Sequence, residues 1–367
     1  MNTVLNLDDL GACNSLDTTC LGKRLEELPD HCRLAWEQVQ RAELGDITFH
    51  KPITKIVIGG MGGSAIAGDL AADLSLALSA RTAWPVITAR DFHFPFTPDD
   101  ETLAILCSYS GNTDETLALF NEAIKTRTRV MAIAGGGKLA KLAGQHNVPL
   151  LSVGLRSEPR HTVGYNLMLI LGILNRLRLI ELDGAAVSDS LEVLRQQLKA
   201  LSHSTPINKN PAKSLASHLA GRRIVVCGSG IFGGVARRWK TQFNENSKAW
   251  AFFETLPELL HNTVEAFPDP LRTAPEVTLL VLKPNPLTPT MASRYAVLKE
   301  LLDRPHVPNH FLEGVSGPPL TQVLSMMLLG DYVSYYLALL KGVDPSGTPT
   351  IILAKDLASQ SSLPLAR

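Results

Sequence analysis

Cysteine is scarce in this chain of 367 residues, at five positions: Cys13, Cys20, Cys32, Cys107 and Cys227. Their odd number, their wide spacing and the lack of any CxxC pair argue against a disulfide framework and a thiolate zinc site. The expected compartment is the reducing cytoplasm. Cys107 and Cys227 close apolar runs and read as small buried residues. Net charge is also missing, with 35 Lys and Arg against 35 Asp and Glu. There is no basic stripe or lysine cluster, which argues against nucleic acid and anionic membrane as partners. Recognition of an anion must then be local. Clusters of His, Cys and Asp at metal-ligand spacing are lacking, so no metal and no cofactor is expected. Long uninterrupted apolar runs are lacking too. The longest, 320–340, is broken by Gln322, Asp331 and several hydroxyls, and reads as a buried helix rather than a membrane span. The N-terminal stretch MNTVLNLDDLGACNSLD has neither the basic start nor the apolar centre of a signal peptide.

The chain is long enough for two domains, since single cores stop growing near about 250–300 residues. Residues 1–50 read as a polar arm followed by a helix over about 22–43. Strand-like runs recur at 55–58, 85–89, 103–107, 130–134 and 149–153, with helix-compatible stretches between most of them. That alternation predicts a βαβ series and a parallel sheet. Helices are expected over about 161–180 and 188–201. Residues 202–221 are polar and punctuated by proline, and read as a linker. The pattern then restarts with a strand at 223–227, the turn GSGIFGG and a helix running to Glu245. Strands near 249–253 and 277–282, a helix over about 319–340 and a late strand at 350–353 leading to Lys355 complete it. The expected division is an arm at 1–50, a first domain at 51–201, a linker at 202–221 and a second domain at 222–367.

Two segments carry chemistry. KIVIGGMGGSAIAGD, at 55–69, is an apolar run entering a glycine turn with Ser64. LAILCSYSGNTDETL, at 103–117, is an apolar run ending in Ser108, Tyr109, Ser110 and Thr113 around Gly111. Both read as strand–turn–helix junctions, where backbone N–H groups and hydroxyls at a helix start bind phosphate. A dinucleotide fold competes with this reading. Gly60–Ala65 fits G-x-G-x-x-A and Gly228–Gly233 fits G-x-G-x-x-G, with Asp91 and Glu254 as candidate ribose ligands. The hydroxyl cluster at the third strand tells against it, because a dinucleotide needs no such group. A plainer alternative is a capped helix, with Asn112 capping and Glu115 returning the hydrogen bond. Acid and base candidates gather in RRWKTQFNENSKAWAFFETLPELLHN: Lys240, Glu245, Lys248, Glu258 and His261. Arg160 and Lys355 stand apart, and spacing alone does not join them.

IGGMGGSAIAGD, CSYSGNTDET, EPR, RRWKTQFNENSK, PELLHN, GDYVSYYLALLKGVDP and Lys355 together resemble the bifunctional phosphoglucose/phosphomannose isomerases, a branch of the sugar isomerase (SIS) superfamily. The resemblance runs in order from about residue 50 to the C-terminus. It implies an α/β fold of two SIS domains, each a parallel sheet flanked by helices, in a homodimer. It also implies a hexose 6-phosphate substrate. By matched motif, Gly62, Gly63, Ser64, Ser108, Ser110 and Thr113 would hold the sugar phosphate. Arg160 would lie beside C1 and C2, and Glu245 would be the base. His261, reaching in from the neighbouring subunit, would open the ring with Lys355 near the ring oxygen. Thr348, or else Thr350, would help to admit both C2 epimers. The chain departs from the pattern at Thr263, where an acidic residue is expected after the His-Asn pair.

Aldose–ketose isomerisation through a cis-enediol suits these residue types. One carboxylate on one face can move a proton between C2 and C1. A fixed cation stabilises the enediolate, and a distant phosphate grip orients the sugar. Two other classes stay open: a phosphosugar sensor, which needs neither Glu245 nor His261, and an NAD-dependent oxidoreductase. An amidotransferase of paired SIS domains is set aside, because residue 2 is Asn2 and not a cysteine nucleophile.

Overall fold

Apolar runs bounded by small residues build two parallel sheets. The computed structural model describes residues 5–45, 51–79, 84–155, 157–267 and 276–360. Residues 1–4, 46–50 and 361–367, which belong to the expected arm and second domain, lie outside the described residues. The first sheet contains β1 (Lys55–Gly59), β2 (Val86–Ala89), β3 (Thr102–Ser108), β4 (Arg129–Ala134) and β5 (Leu150–Ser152), in the order β2-β1-β3-β4-β5. Every residue of the central β3 is buried, as an unbroken apolar run in a parallel sheet demands. The second sheet contains β6 (Arg223–Gly228), β7 (Ala251–Thr255), β8 (Val277–Lys283) and β9 (Asn309–Glu313), in the order β7-β6-β8-β9. In each sheet the strand order reverses once, between β1 and β3 and between β6 and β8. Ligands of open α/β sheets bind beyond the strand ends at such points.

Three helices precede the first sheet: α1 (Leu10–Leu16), α2 (Leu21–Glu26) and α3 (Leu28–Arg41). Within the first half follow α4 (Gly62–Leu78), α5 (Asp114–Ala123), α6 (Gly137–Gln145), α7 (Val163–Arg176) and α8 (Gly184–Leu201). The second half has α9 (Pro211–Leu219), α10 (Gly233–Glu245), α11 (Pro289–Asp303), α12 (Pro319–Leu340) and α13 (Pro349–Gln360). Helices α4, α7, α10 and α12 put their apolar residues into one continuous core that also takes residues from both sheets and from α3. By length and composition α12 is apolar enough to cross a membrane, yet 89% of its most apolar window is buried inside the fold. It is the central core helix.

Three expectations need correction. Residues 202–221 are not an irregular linker throughout. The Asn210 side chain accepts from the N–H groups of Ala212 and Lys213, and Pro211 supplies a preset first turn, so α9 forms there. The N-terminal arm is three helices rather than one: α3 packs on α7 of the first half, and the residues before it dock on the second half. Lys213, with no exposed side chain, donates to Asp8 Oδ1 at 2.9 Å. Asp17 accepts from the N–H groups of Leu21 and Gly22 and from the Tyr335 hydroxyl. The late strand at 350–353 is instead the first turns of α13. Pro349 opens that helix, and the Thr348 carbonyl accepts from the N–H groups of Ile351 and Ile352. Leu256 and Leu259 are buried in the core beneath the second sheet with Cys227, Phe267 and Leu279.

Candidate active site

The two signature turns meet at the first switch point. Gly59 of β1 pairs with Leu106 of β3, so the glycine turn and the hydroxyl turn leave adjacent strands side by side. Gly62 adopts φ +51°, a conformation natural to glycine. Gly63 opens α4 against another chain segment, and a Cβ there would stand 2.4 Å from the Pro159 carbonyl oxygen. The turn is thus pressed onto the loop that carries Arg160. Ser64 is buried in the first turn of α4. At the end of the neighbouring strand β3, buried Ser108 and half-buried Thr113 share a hydrogen bond of 2.8 Å between their hydroxyls. Thr113 is the N-cap of α5, yet its side chain caps nothing. The alternative of a capping box is not realised: Asn112 Oδ1 accepts from the Lys138 N–H. The exposed Ser110 hydroxyl accepts from the Asn112 N–H at 3.2 Å. Hydroxyls and a helix start together make a donor-rich end of the site. Gly111, at φ +66°, lets this turn lie against Gly136 and Gly137.

Arg160 sits in a short 3-10 turn, Pro159–His161, and is only 5% exposed. Four groups fix its guanidinium. Nε donates to Asn246 Oδ1 at 2.9 Å, and Nη2 donates to the carbonyls of Pro345 and Ser346 at 3.2 and 2.7 Å. Nη1 lies 3.6 Å from Glu245 Oε2. Glu245 ends α10 with its side chain 26% exposed, so its carboxylate borders both the buried cation and solvent. Burial pulls the Arg160 guanidinium below its usual value, with Glu245 and Glu158 opposing that shift. Lys248, at φ +50°, donates to the Asn246 and Asp344 carbonyls at 3.1 and 2.6 Å. Burial and the nearby Arg160 bring its ammonium down to about 8.

A buried polar network holds this centre. Arg238 donates to the Arg160 carbonyl at 3.0 Å and to Asp331 Oδ2 at 2.7 Å, while Gln242 donates to Asp331 Oδ1 at 3.1 Å. Asn246 donates to the Ser334 hydroxyl at 3.0 Å. Burial raises the Asp331 carboxyl and Arg238 opposes it. His161 is buried beside Arg160 and held well below its usual value, first by burial and then by that cation. It is a neutral packing residue.

The structure therefore joins Gly62, Gly63 and Ser64 to the loop of Arg160, pairs Ser108 with Thr113, and sets Arg160 against Glu245. Thr348 is half-buried two residues beyond the Ser346 carbonyl that holds Arg160. His261 and Lys355 are both exposed, His261 in the 3-10 turn Glu258–His261 and Lys355 on α13. Among the described residues, no contact brings either to Glu245 or Arg160. Sequence reasoning missed Asn246, although it lies inside the NENSK motif next to Glu245. It also missed Arg24 and Ser346, for which sequence gives no signal, because their contact with each other spans 322 positions.

An α/β fold with hydroxyl and glycine turns at one switch point, and a buried arginine paired with a half-buried glutamate beside it, defines a phosphosugar-handling protein of the SIS class. The profile of the bacterial phospho-glucose isomerase C-terminal SIS domain family matches residues 208–357. The chain is 32% identical over 326 residues to the bifunctional phosphoglucose/phosphomannose isomerase of Caldicellulosiruptor bescii, covering 87% of this chain and 95% of that one. It is also 32% identical over 321 residues to the protein of that name from Aquifex aeolicus, covering 88% and 93%. Among solved structures, a hypothetical protein from Thermus thermophilus superposes with a TM-score of 0.68 at 14% identity, over 96% of this chain and 91% of the other. The chain belongs to the bifunctional phosphoglucose/phosphomannose isomerase family.

Proposed function

We propose that this chain interconverts glucose 6-phosphate and mannose 6-phosphate with fructose 6-phosphate through a cis-enediol. The observation that carries the reading is the Glu245 carboxylate 3.6 Å from a guanidinium fixed by three hydrogen bonds. In the open-chain aldose, Glu245 takes the proton from C2. The C–H electrons form the C1–C2 double bond and O1 takes up a proton. The enediol then gives its O2 proton away as C2 becomes a carbonyl, and Glu245 returns its proton to C1. Charge develops on the oxygens of C1 and C2, where a cation that needs no reorganisation is most effective. Gly62, Gly63, Ser64, Ser108, Ser110 and Thr113 hold the phosphate at the far end and so orient the reacting carbons. His261 and Lys355 exchange the protons of O1 and O5 in ring opening, and Thr348 leaves room for either C2 epimer.

The active form in this reading is a homodimer with shared sites. Three observations support it. His261 and Lys355 stand exposed and apart from the Arg160–Glu245 pair. Helix α13 exposes Ile351, Ile352, Leu353 and Leu357, each 41–58% accessible. On the edge strand side, Trp250 is 74% exposed and stacks on exposed Phe252. The reading also places the chain in the cytoplasm, in glycolytic and gluconeogenic carbohydrate metabolism, with SIS domains at 51–201 and 222–367. The test is a coupled assay of the purified protein with each hexose 6-phosphate. Turnover of glucose 6-phosphate or mannose 6-phosphate to fructose 6-phosphate is expected. Phosphosugar binding without turnover would instead mark a sensor.

A further inference from the structure

Arg160 is held by two loops that chain connectivity does not tie together, residues 157–161 and 344–348. A single side chain from the N-terminal helices spans both. Arg24, in α2, lies only 18% exposed, and its Nη2 is 2.8 Å from Glu158 Oε1, two residues before Arg160. The same nitrogen donates to the Ser346 hydroxyl at 3.2 Å and to the Thr19 hydroxyl at 3.0 Å. Nη1 donates to the Thr19 carbonyl, and the Thr19 hydroxyl in turn donates to the Ser346 hydroxyl. Ser346 presents its carbonyl to Arg160 Nη2 at 2.7 Å. The arm is not free to follow these loops, because Asp17, which caps the first N–H groups of α2, is bonded to Tyr335 of the core helix α12.

We propose that Arg24 is a positioning residue for the isomerisation: by bridging Glu158 and Ser346 it fixes the distance between the two loops that aim the Arg160 guanidinium at the reacting carbons. The N-terminal helices thus belong to the active-site scaffold of this chain. Arg24 acts through Arg160 and not on the substrate. A planar fork suits the task, since one guanidinium can satisfy a carboxylate and two hydroxyls at once, whereas a single ammonium has a different geometry and reach. This inference rests on the reading of Arg160 as the cation that stabilises the enediolate.

The test compares Arg24→Ala, Arg24→Lys, Glu158→Gln and Arg160→Lys. Each is measured for kcat, for KM, and for binding of two phosphorylated probes. One probe is a five-carbon hydroxamate phosphate, a planar mimic of the enediolate. The other is sorbitol 6-phosphate, which engages the phosphate grip without a planar centre. For Arg24→Ala, kcat is expected to fall about 10-fold with KM within about twofold. Affinity for the hydroxamate should fall in parallel and that for sorbitol 6-phosphate should hold. Arg24→Lys should recover only part of the loss, and Glu158→Gln should show a smaller fall of the same kind. A loss of folded protein alone would lower the active fraction equally for every readout and would not separate the two probes. Should Arg24→Ala fail to fold, the split between probes in Arg24→Lys and Glu158→Gln decides. Wild-type kcat and hydroxamate affinity in the folded Arg24 and Glu158 variants, with Arg160→Lys strongly impaired, would overturn the inference and leave the Arg160 reading standing. Wild-type activity of Arg160→Lys would overturn both.

Discussion

Replacing Asn246 by Ala removes the hinge of the buried network while leaving the Glu245 carboxylate in place. Asn246 is fully buried. Its carbonyl oxygen accepts from Arg160 Nε at 2.9 Å and its amide donates to the Ser334 hydroxyl at 3.0 Å. The alanine variant strands a charged donor and half of a hydroxyl's bonding capacity, since Ser334 still donates to the Asp331 carbonyl. A hydrogen bond to a charged group contributes about 1.5–3 kcal/mol and a neutral one about 1 kcal/mol. A stability loss of about 2–4 kcal/mol is therefore expected in denaturant titration. The guanidinium keeps its bonds to the Pro345 and Ser346 carbonyls, so it stays in the site but can swing about that edge. Removing a whole preorganised donor costs about 10²–10³ in kcat, and loosening one should cost about 10- to 100-fold. KM should stay within about twofold, because in the proposed reading the phosphate is held by the glycine and hydroxyl turns and not by Arg160. The assay is steady-state kinetics at a temperature where the variant is folded by circular dichroism. A folded variant with kcat within twofold of wild type would show that the orientation of Arg160 does not limit the chemistry.

Three further outcomes follow from the geometry. Gly63→Ala places a methyl group 2.4 Å from the Pro159 carbonyl; backbone must move, so a stability loss of about 1–3 kcal/mol with a fall in kcat is expected, and wild-type kinetics would show that the Arg160 loop tolerates displacement. Asp73 accepts the Gly234 N–H between α4 and α10, and burial pushes its carboxyl up to about 7 from an ordinary 3.8, with Asp69 reinforcing the shift and Arg237 opposing it. The folded state then binds more protons than the unfolded chain in that interval, so stability falls as pH rises from about 4 to 7. Asp73→Asn keeps the acceptor without the charge, and should gain stability relative to wild type between pH 5 and pH 8; a constant difference across that range would contradict the assignment. For a shared-site dimer, co-refolded Glu245→Gln and His261→Ala subunits should recover up to about one quarter of wild-type activity, as half the dimers are mixed and each has one intact site. Mixtures as inactive as their parents, with heterodimers confirmed by mass, would mean that each subunit supplies both groups to its own site.

The sequence made the parallel sheets legible because their strands are apolar on both faces: β1, β3 and β4 read as unbroken runs, and α12 as a continuous apolar helix. Strand β9 escaped notice because Asn309 and His310 make a half-exposed edge with no apolar run. Residues Thr350, Ile351 and Ile352 misled in the opposite way. Their β-branched character suggests a strand, but Pro349 fixes a helical first turn, and among the described residues they pair with no strand. The glycine and hydroxyl turns were legible as turns, since φ > 0 at Gly62 and Gly111 and the density of hydroxyls leave residue-level traces. The Arg160–Glu245 pairing was accessible only through family resemblance, for nothing local links residues 85 positions apart. Arg24, Ser346, Asp331 and Ser334 act through folded proximity alone. A buried Asp in an apolar helix was a visible oddity, and its partner, Arg238, was not.

The central claim is that the Glu245 carboxylate carries the proton between C2 and C1. The most direct measurement is exchange of the substrate's C2 hydrogen with deuterated water, followed by mass and NMR for wild type and for Glu245→Gln. The amide keeps the size and most of the hydrogen bonding of the carboxylate but cannot accept the proton. The variant should bind sorbitol 6-phosphate as wild type does, lose at least about 10²-fold in kcat, and incorporate no deuterium at C2. Wild-type-like incorporation in the folded variant would contradict the account and move the base to another group, with Glu258 the next carboxylate to replace.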